Sequence, residues 1–371
     1  MATAVFRIPQ RFLFGAGTLE SLGEEVRRFG GRALLVTGRR AMAEAGITER
    51  CLSCLAEAGV EAALFDEVEP EPDVTSVDRC RAAVRKHRAE VVVGLGGGSA
   101  MDVAKVAAGL AGEDEPTRAF HQGRKPSKPG LPMIAVPTTS GTGSEMTNNG
   151  VICDRERAYK ASIRDDSFVP AVALVDPKLT LPCPPPVTAA SGVDALVQAI
   201  ESYLSRHATP LTEAISLRAV EELTAALPDV VHRGDGLDLR TRAAWGSTMA
   251  GLALSNARLG VVHGMAHPIG VRFGIPHGLV CGVLLPAALE FNRPAAPEKF
   301  SVLAERLGGD PAAYARDLLA ACGLPATLAD YGLAADAFET IAEESLPSGS
   351  TKANPRPVTK DDIVAMLGKV S

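Results

Sequence analysis

The chain has 371 residues, of which 46% are hydrophobic, 22% charged and only 4% aromatic, with a formal net charge of −6. This balance excludes a disordered or collagen-like chain, and the length favours two domains over a single core. No apolar run approaches the roughly 18 residues of a membrane span, and an acidic chain poor in aromatics lacks both the charge and the stacking surface expected of a nucleic-acid binder.

The opening stretch MATAVFRIPQRFLFG does not present a basic start, an apolar run and a cleavage site in order, so no secretory signal is expected. RALLVTG (32–38) is a short apolar run ending in glycine and predicts a strand. Residues 41–58 carry helical periodicity with Gly59 as the stop. EAALFDEV (61–68) predicts a second strand, 77–89 a helix, and EVVVGLGGGS (90–99) a buried strand running into a glycine loop. A helix over 101–112, a strand over 131–139 and a β-like piece over 172–180 continue the alternation, which implies a parallel sheet covered on both faces. From about residue 182 the texture changes. The segments 188–205, 210–231, 239–260 and 298–309 are all helix-periodic, and no comparable strand signal follows. The Pro-rich CPPP (183–186) suits a boundary. The expectation is an α/β domain over 1–181 and an all-helical domain over 182–371, with Thr359 and Asp362 capping a last helix. Seven cysteines occur at irregular spacing. The pair Cys51 and Cys54 falls in a helix-like stretch with no second pair, so ordinary thiols in a reducing compartment, the cytoplasm, are expected.

Two loops carry chemistry. GLGGGSAMDVAK (94–105) follows a strand and opens a helix. Gly96, Gly97 and Gly98 permit close approach of the backbone to a phosphate, and the helix N-terminus offers free N–H groups. Ser99 stands where the third glycine of a dinucleotide fingerprint belongs, so a plain tight turn stays open as an alternative. PTTSGTGSE (137–145) is dense in hydroxyls and glycines, and Thr138, Thr139 and Thr142 are candidates to hold a second phosphate, a ribose or a carboxamide. Two such loops on adjacent strands point to a dinucleotide. In the second half, His263, His267 and His277 fall within 15 residues, and Asp194 and Gln198 are spaced i, i+4 with Glu201 one turn on. Imidazole and carboxylate are ligands for a divalent ion, which polarises a carbonyl or alcohol oxygen.

The segments FGAG (14–17), GGGSAMDVAK (96–105), PTTSGTGSE (137–145), YKASI (159–163), LVDPKLT (174–180), the Asp194 helix, HGMAHPIG (263–270), PHG (276–278) and NPRP (354–357) together resemble the iron-containing (group III) alcohol dehydrogenases along nearly the whole chain. The resemblance implies an N-terminal dinucleotide-binding α/β domain and a helical C-terminal domain, a nicotinamide cofactor, and a dimer. It implies Fe²⁺ or Zn²⁺ held by one Asp and three His. Asp194, His263 and His277 match three of those positions, but the fourth, four residues after the Asp, is Gln198. His267 matches a family histidine beside the metal and near substrate. Glutamine is a weak, uncharged ligand. Three readings therefore stay open: metal with Gln198 or water as fourth ligand, metal held weakly, or a metal-free site like that of the maleylacetate reductases, in which His267 or another His serves the carbonyl oxygen.

Further matches concern cofactor and substrate. Gly38 lies where many NAD-preferring relatives carry an Asp, and Arg39 and Arg40 follow, so NADP is favoured over NAD. Lys160 and Asp102 match family residues near the cofactor. Arg258, with Asn148, Asn149 and Arg164 as weaker hints, raises an acidic substrate. The expected function is NAD(P)-dependent alcohol dehydrogenation or aldehyde reduction, with small-molecule partners and no nucleic acid or membrane. The alternative is a metal-independent reductase of an anionic oxo-acid. A lyase like dehydroquinate synthase fits TTSGTGSE and NPRP less well, and a non-catalytic binding module fits least.

Overall fold

The computed structural model describes residues 5–157 and 159–371. The chain forms two compact units. The first extends to Thr139 and resumes over Ser144–Pro182; the second consists of Ser140–Gly143 and Cys183–Ser371.

The first unit is an α/β layer structure. Strands β1 (Arg11–Phe14), β2 (Arg32–Gly38), β3 (Glu61–Val68), β4 (Val91–Gly96), β5 (Met133–Pro137) and β8 (Val172–Val175) form one sheet in the order β1-β8-β5-β4-β2-β3. All its pairings are parallel. The interior strands are near-continuous Val, Leu and Ile because both faces are covered. Side chains alternate between the two cores with period two. Leu34, Val36 and Val92 pack with helices α2 (Val74–His87) and α3 (Gly98–Gly109). Ala33, Leu35, Val91 and Val93 pack on the other face with Leu22 and with Ile47 and Leu55 of helix α1 (Ile47–Glu57).

Several expected boundaries move for identifiable reasons. The helix expected over 41–58 breaks at Gly46, whose φ of 70° is left-handed, into a one-turn piece and α1. α2 begins earlier than its periodicity suggested because Asp73 caps it, accepting from the Thr75 N–H at 3.0 Å. The β-like piece over 172–180 stops at Val175, where Asp176 caps a 3₁₀ turn with proline at its start. An antiparallel hairpin, β6 (Asn149–Asp154) and β7 (Tyr159–Arg164), was not foreseen. Its strands are short and carry polar and charged side chains, so they give little hydrophobic alternation.

Among the described residues the second unit contains no strand. Its main helices are α4 (Pro185–Leu204), α5 (Pro210–Ala226), α6 (Leu237–Ala257), α7 (Val261–Phe273), α8 (His277–Asn292), α9 (Pro297–Leu307), α10 (Pro311–Ala321) and α11 (Lys360–Leu367). The prolines of CPPP sit before and in the first turn of α4, where a missing N–H costs nothing. The Thr359–Asp362 capping box is present at the start of α11. No helix of the described residues is long and apolar enough to cross a membrane.

Candidate active site

Helix α4 places Asp194, Gln198 and Glu201 along one face, as their i, i+4, i+7 spacing requires. α7 contributes His263 from its first turn and His267 from the next. α8 begins at His277, just after Pro276, and carries Cys281 one turn later. Asp194, Gln198, Glu201 and His263 are each no more than 5% exposed. Asp194 Oδ1 lies 3.4 Å from His263 Nε2 and 3.9 Å from His277 Nε2. The His263 and His267 rings are 5.4 and 5.3 Å from that of His277. The three histidines and Asp194 are therefore brought together. So is a residue that the ligand pattern did not single out: Cys281 Sγ is 3.6 Å from His277 Nε2, and one ligand atom each from Asp194, His263, His277 and Cys281 all lie within 4.8 Å of one another.

Glycines set this closeness. His263 and His277 are each followed by one, and a Cβ on either would collide with a neighbouring element. At Gly264 it would fall 1.9 Å from Thr351 Oγ1, and at Gly278 2.1 Å from the Ala190 carbonyl oxygen. The HG pairs are thus crossing points as well as ligand positions.

The ligand orientations are held from behind. Gln198 Nε2 donates to Asp194 Oδ2 at 2.9 Å, which leaves Oδ1 turned toward the histidines. Glu201 accepts from the Val262 N–H at 2.7 Å, from the His263 N–H at 3.4 Å and from His263 Nδ1 at 2.6 Å. A carboxylate from α4 thereby satisfies the first-turn donors of α7. It also keeps a ring proton of His263 on Nδ1, so that Nε2 is the nitrogen turned to Asp194 and the one available to an ion once its own proton leaves. Asn354 of NPRP completes the anchor. Its Oδ1 accepts from the Val261 N–H at 3.2 Å and from Asn292 Nδ2 at 3.0 Å, while its Nδ2 donates to Asn292 Oδ1 at 2.7 Å. In the sequence Glu201 is legible only as a neighbour on its helix, and NPRP only as a motif. Their partners lie 62 and 93 residues away, so no local pattern reveals their role.

Burial works against a charge on His263, but Cys281, Asp194 and Glu201 outweigh it and hold its pKa well above the ordinary 6.5. Burial, with Asp194 and Glu201, pushes the Cys281 thiol up to about 12 against the pull of His263. Asp194 Oδ1, Gln198 Oε1 and His263 Nε2 are buried without a hydrogen-bond partner among the described residues. Each such atom costs about 1–3 kcal/mol if nothing satisfies it. Oxygen, nitrogen and sulfur donors converging in a buried place fit a divalent transition metal.

In the first unit, β4 ends at Gly96, whose φ is 142°, and α3 starts at Gly98 behind an N-cap, Gly97, that supplies no side-chain bond. Its first-turn N–H groups are therefore not taken by a cap. The Thr138 N–H donates to the Gly96 carbonyl at 3.0 Å, and a Cβ on Gly97 would meet the Thr139 side chain at 3.4 Å. The two loops thus meet where Gly96 and Gly97 face Thr138 and Thr139. Gly38 ends β2, the neighbour of β4. Thr142 belongs with the second unit, where Gly141 is pressed on Ser191 and Gly143 on Gly251. Asp102 is turned inward: its oxygens accept from Ser144 Oγ at 2.6 Å and the Val151 N–H at 2.9 Å. Lys160, on β7, pairs with Glu71. Asn148 bonds Arg164 and Asp166, and the Asn149 carbonyl accepts from Lys105 Nζ. The Asn148 and Arg164 side chains are therefore absorbed by internal contacts, and Asn149 Nδ2 donates to Ser162 Oγ at 3.3 Å. Arg258 is exposed, with φ 63° and ψ −174°.

Residues 9–177 match the family model of the iron-containing alcohol dehydrogenases, and residues 188–371 match the C-terminal model of the Fe-containing alcohol dehydrogenase family. The 1,3-propanediol dehydrogenase of Klebsiella pneumoniae is 36% identical over 378 residues, covering 98% of this chain and 97% of that protein. The NAD-dependent methanol dehydrogenase of Bacillus methanolicus is 31% identical over 374 residues, covering 98% of each. Among solved structures, a 1,3-propanediol oxidoreductase superposes with a TM-score of 0.96 at 33% identity, covering all of both chains. The sulfoacetaldehyde reductase of Bifidobacterium kashiwanohense in complex with NAD⁺ superposes at 0.93 and 30%, covering 100% of this chain and 99% of that one.

Proposed function

Since the chain belongs to the iron-containing alcohol dehydrogenase family, and is with it an oxidoreductase acting on CH–OH donors, we propose that it interconverts a small alcohol and its aldehyde with the help of a divalent metal. The observation that carries the metal is the buried convergence of Asp194 Oδ1 and His263 Nε2, 3.4 Å apart and each without a hydrogen-bond partner among the described residues. A metal-independent site has no evident use for a carboxylate so placed, because its desolvation is then uncompensated.

When bound, the ion supplies Lewis acidity toward the alcohol or carbonyl oxygen, and the nicotinamide supplies the hydride acceptor or donor. Asp194, His263 and His277 are the residues that would hold the ion. Gln198, in the position where the family resemblance leads one to expect histidine, holds Asp194 Oδ2 so that Oδ1 is presented singly. Glu201 keeps His263 in the tautomer that a ligand needs. His267, half-buried beside His277, is the group we assign to take up and return the substrate proton. The first turn of α3 behind Gly96, Gly97, Gly98 and Ser99, with Thr138 and Thr139 beside it, suits the pyrophosphate, and Thr142 and Lys160 are assigned to the rest of the cofactor. Asp102 acts from behind by anchoring α3 to Ser144 and Val151. No carboxylate stands at Gly38, and Arg39 and Arg40 are exposed after it. This favours NADP(H) while leaving NAD(H) a substrate.

Arg258 favours a preference for anionic aldehydes, as in an oxo-acid reductase. Its backbone lies in a region that is essentially glycine's, which costs about 1–3 kcal/mol, and a cation kept at that cost suits recognition of a negative group.

The test is metal content of untagged protein purified without chelator, together with aldehyde-dependent oxidation of NADPH and NADH before and after chelation. The expected result is a single divalent ion per chain, with activity lost on chelation and restored by metal. Activity that survives complete metal removal would overturn the metal-assisted reading. For the cofactor, Gly38→Asp is tolerated sterically, since its Cβ would meet only the Val68 carbonyl oxygen at an ordinary 3.6 Å. It should lower kcat/KM for NADPH at least about tenfold relative to NADH, as expected for a carboxylate facing a phosphate; an unchanged ratio removes that residue from cofactor selection.

A further inference from the structure

We infer that Cys281 is itself a ligand of the metal centre, supplying a thiolate in the place of the imidazole that Gln198 does not provide; this rests on the metal-assisted reading above. Metal bonds of about 2.0–2.2 Å to nitrogen and oxygen and about 2.3 Å to sulfur, in tetrahedral array, put neighbouring N and O ligands about 3.4 Å apart and N and S ligands about 3.6 Å apart. The His263 Nε2–Asp194 Oδ1 separation is 3.4 Å and the His277 Nε2–Cys281 Sγ separation is 3.6 Å. The His277–Asp194 edge is wider at 3.9 Å, and no pair among the four ligand atoms exceeds 4.8 Å. The group is small enough for a single ion to draw in all four donors, with the wider edges closing by a few tenths of an ångström.

The surroundings support a ligand role over a structural one. Cys281 is 0% exposed and is a free thiol, so no disulfide explains its place. It stands i, i+4 from His277 on α8, the same spacing that Asp194 and Gln198 have on α4. Two buried atoms of the same cluster, Asp194 Oδ1 and His263 Nε2, have no hydrogen-bond partner among the described residues. Gln198 is already engaged through its amide nitrogen with Asp194, and its carbonyl oxygen is a much weaker ligand for a borderline-soft ion than a thiolate. The two departures compensate: a ligand is absent from α4 and a ligand is present on α8. As the metal–sulfur bond forms, the S–H bond breaks and its proton leaves to solvent. A donor set of one carboxylate, two imidazoles and one thiolate is softer than one with three imidazoles, and it moves preference toward Zn²⁺.

The experiment uses the full-length protein stripped of metal and titrated with Co²⁺. The wild type should develop visible d–d bands and a near-ultraviolet thiolate-to-cobalt charge-transfer band. Cys281→Ser, its fold checked by circular dichroism, should keep d–d absorption but lose the charge-transfer band, with Co²⁺ affinity weaker by at least about tenfold. Cys281→Ala should do the same. X-ray absorption of the zinc-loaded wild type should show a sulfur scatterer near 2.3 Å, a readout that needs no variant. A wild type that binds cobalt or zinc without a sulfur signature, or a charge-transfer band that persists in Cys281→Ser, overturns the inference while the metal-assisted reading stands. A wild type that binds neither Co²⁺ nor Zn²⁺ overturns both.

Discussion

Replacing Glu201 with glutamine isolates what a buried carboxylate does for this site. The side chain keeps its size, so packing against Gly260, where a Cβ would come within 2.6 Å of Oε1, is undisturbed. Its two short bonds, 2.7 Å from the Val262 N–H and 2.6 Å from His263 Nδ1, are charge-assisted, and each contributes about 1.5–3 kcal/mol against 0.5–1.5 for a neutral bond. In the amide only one oxygen accepts, so one of these bonds weakens and the other is lost. The expected destabilisation is about 2–4 kcal/mol. At about 2–4 °C per kcal/mol for a unit of this size, the melting temperature should fall by several degrees. The second effect is specific. An amide N–H presented to Nδ1 makes Nδ1 the acceptor and moves the ring proton to Nε2, the atom that faces Asp194. Zinc affinity should then fall by about 10–100-fold. The assay is competition of the metal-stripped protein with a chromophoric chelator, run beside thermal unfolding of the same sample. Equal zinc affinity in the two proteins, whatever the stability change, would refute the assignment of Glu201 as the group that orients His263.

Three other expectations follow from packing and charge. Gly251→Ala would place a Cβ 2.6 Å from the Gly143 Cα and 2.8 Å from its carbonyl oxygen. Because backbone cannot yield there, it should cost about 1–3 kcal/mol despite a helix-propensity gain of about 1 kcal/mol; a higher denaturation midpoint would contradict the close approach. Arg258→Gly should raise the unfolding free energy by roughly 1 kcal/mol, read as a higher urea midpoint, the relief of backbone strain exceeding the extra freedom of the unfolded chain, and should weaken turnover of anionic aldehydes relative to neutral ones; a lower midpoint contradicts the strain. Lys105, with four acceptors at 2.6–2.9 Å, is pushed by burial from 10.5 to about 8, against Asp102 and Glu145. The folded protein therefore binds fewer protons than the unfolded chain between these values. This contribution to stability is full above pH 10.5 and is lost as pH falls through 8. The unfolding free energy of wild type minus that of Asp102→Asn/Lys105→Met should accordingly rise with pH across that window, and a flat difference excludes the shift.

Much of the fold was legible because period and composition are local. Apolar runs at 32–38, 90–99 and 131–139 mark buried parallel strands, the weaker run at 61–68 marks the edge strand, and all four contain strands. The hairpin at 149–164 escaped because its apolar residues, chiefly Ile152 and Ile163, are too few and too interrupted by polar and charged neighbours to alternate. Asp102 was legible as a glycine-loop residue. Its inward turn was not, because the donors that hold it, Ser144 and Val151, belong to a loop and a strand more than forty residues on.

The same division runs through the candidate site. Sequence alone determined which side chains share a face: Asp194 with Gln198 and Glu201, His263 with His267, and His277 at a helix start. Helical spacing sets those relations before any tertiary contact forms. Only the tertiary structure decided how far apart the faces lie and which lone pairs meet. Gly264 and Gly278 let α7 and α8 press on their neighbours. Glu201 and Gln198 turn His263 Nε2 and Asp194 Oδ1 toward each other, and α8 carries Cys281 into the group. Distances between helices depend on the small residues at their crossings, and lone-pair directions depend on hydrogen bonds between residues far apart in the chain. Neither leaves a periodic trace in the sequence.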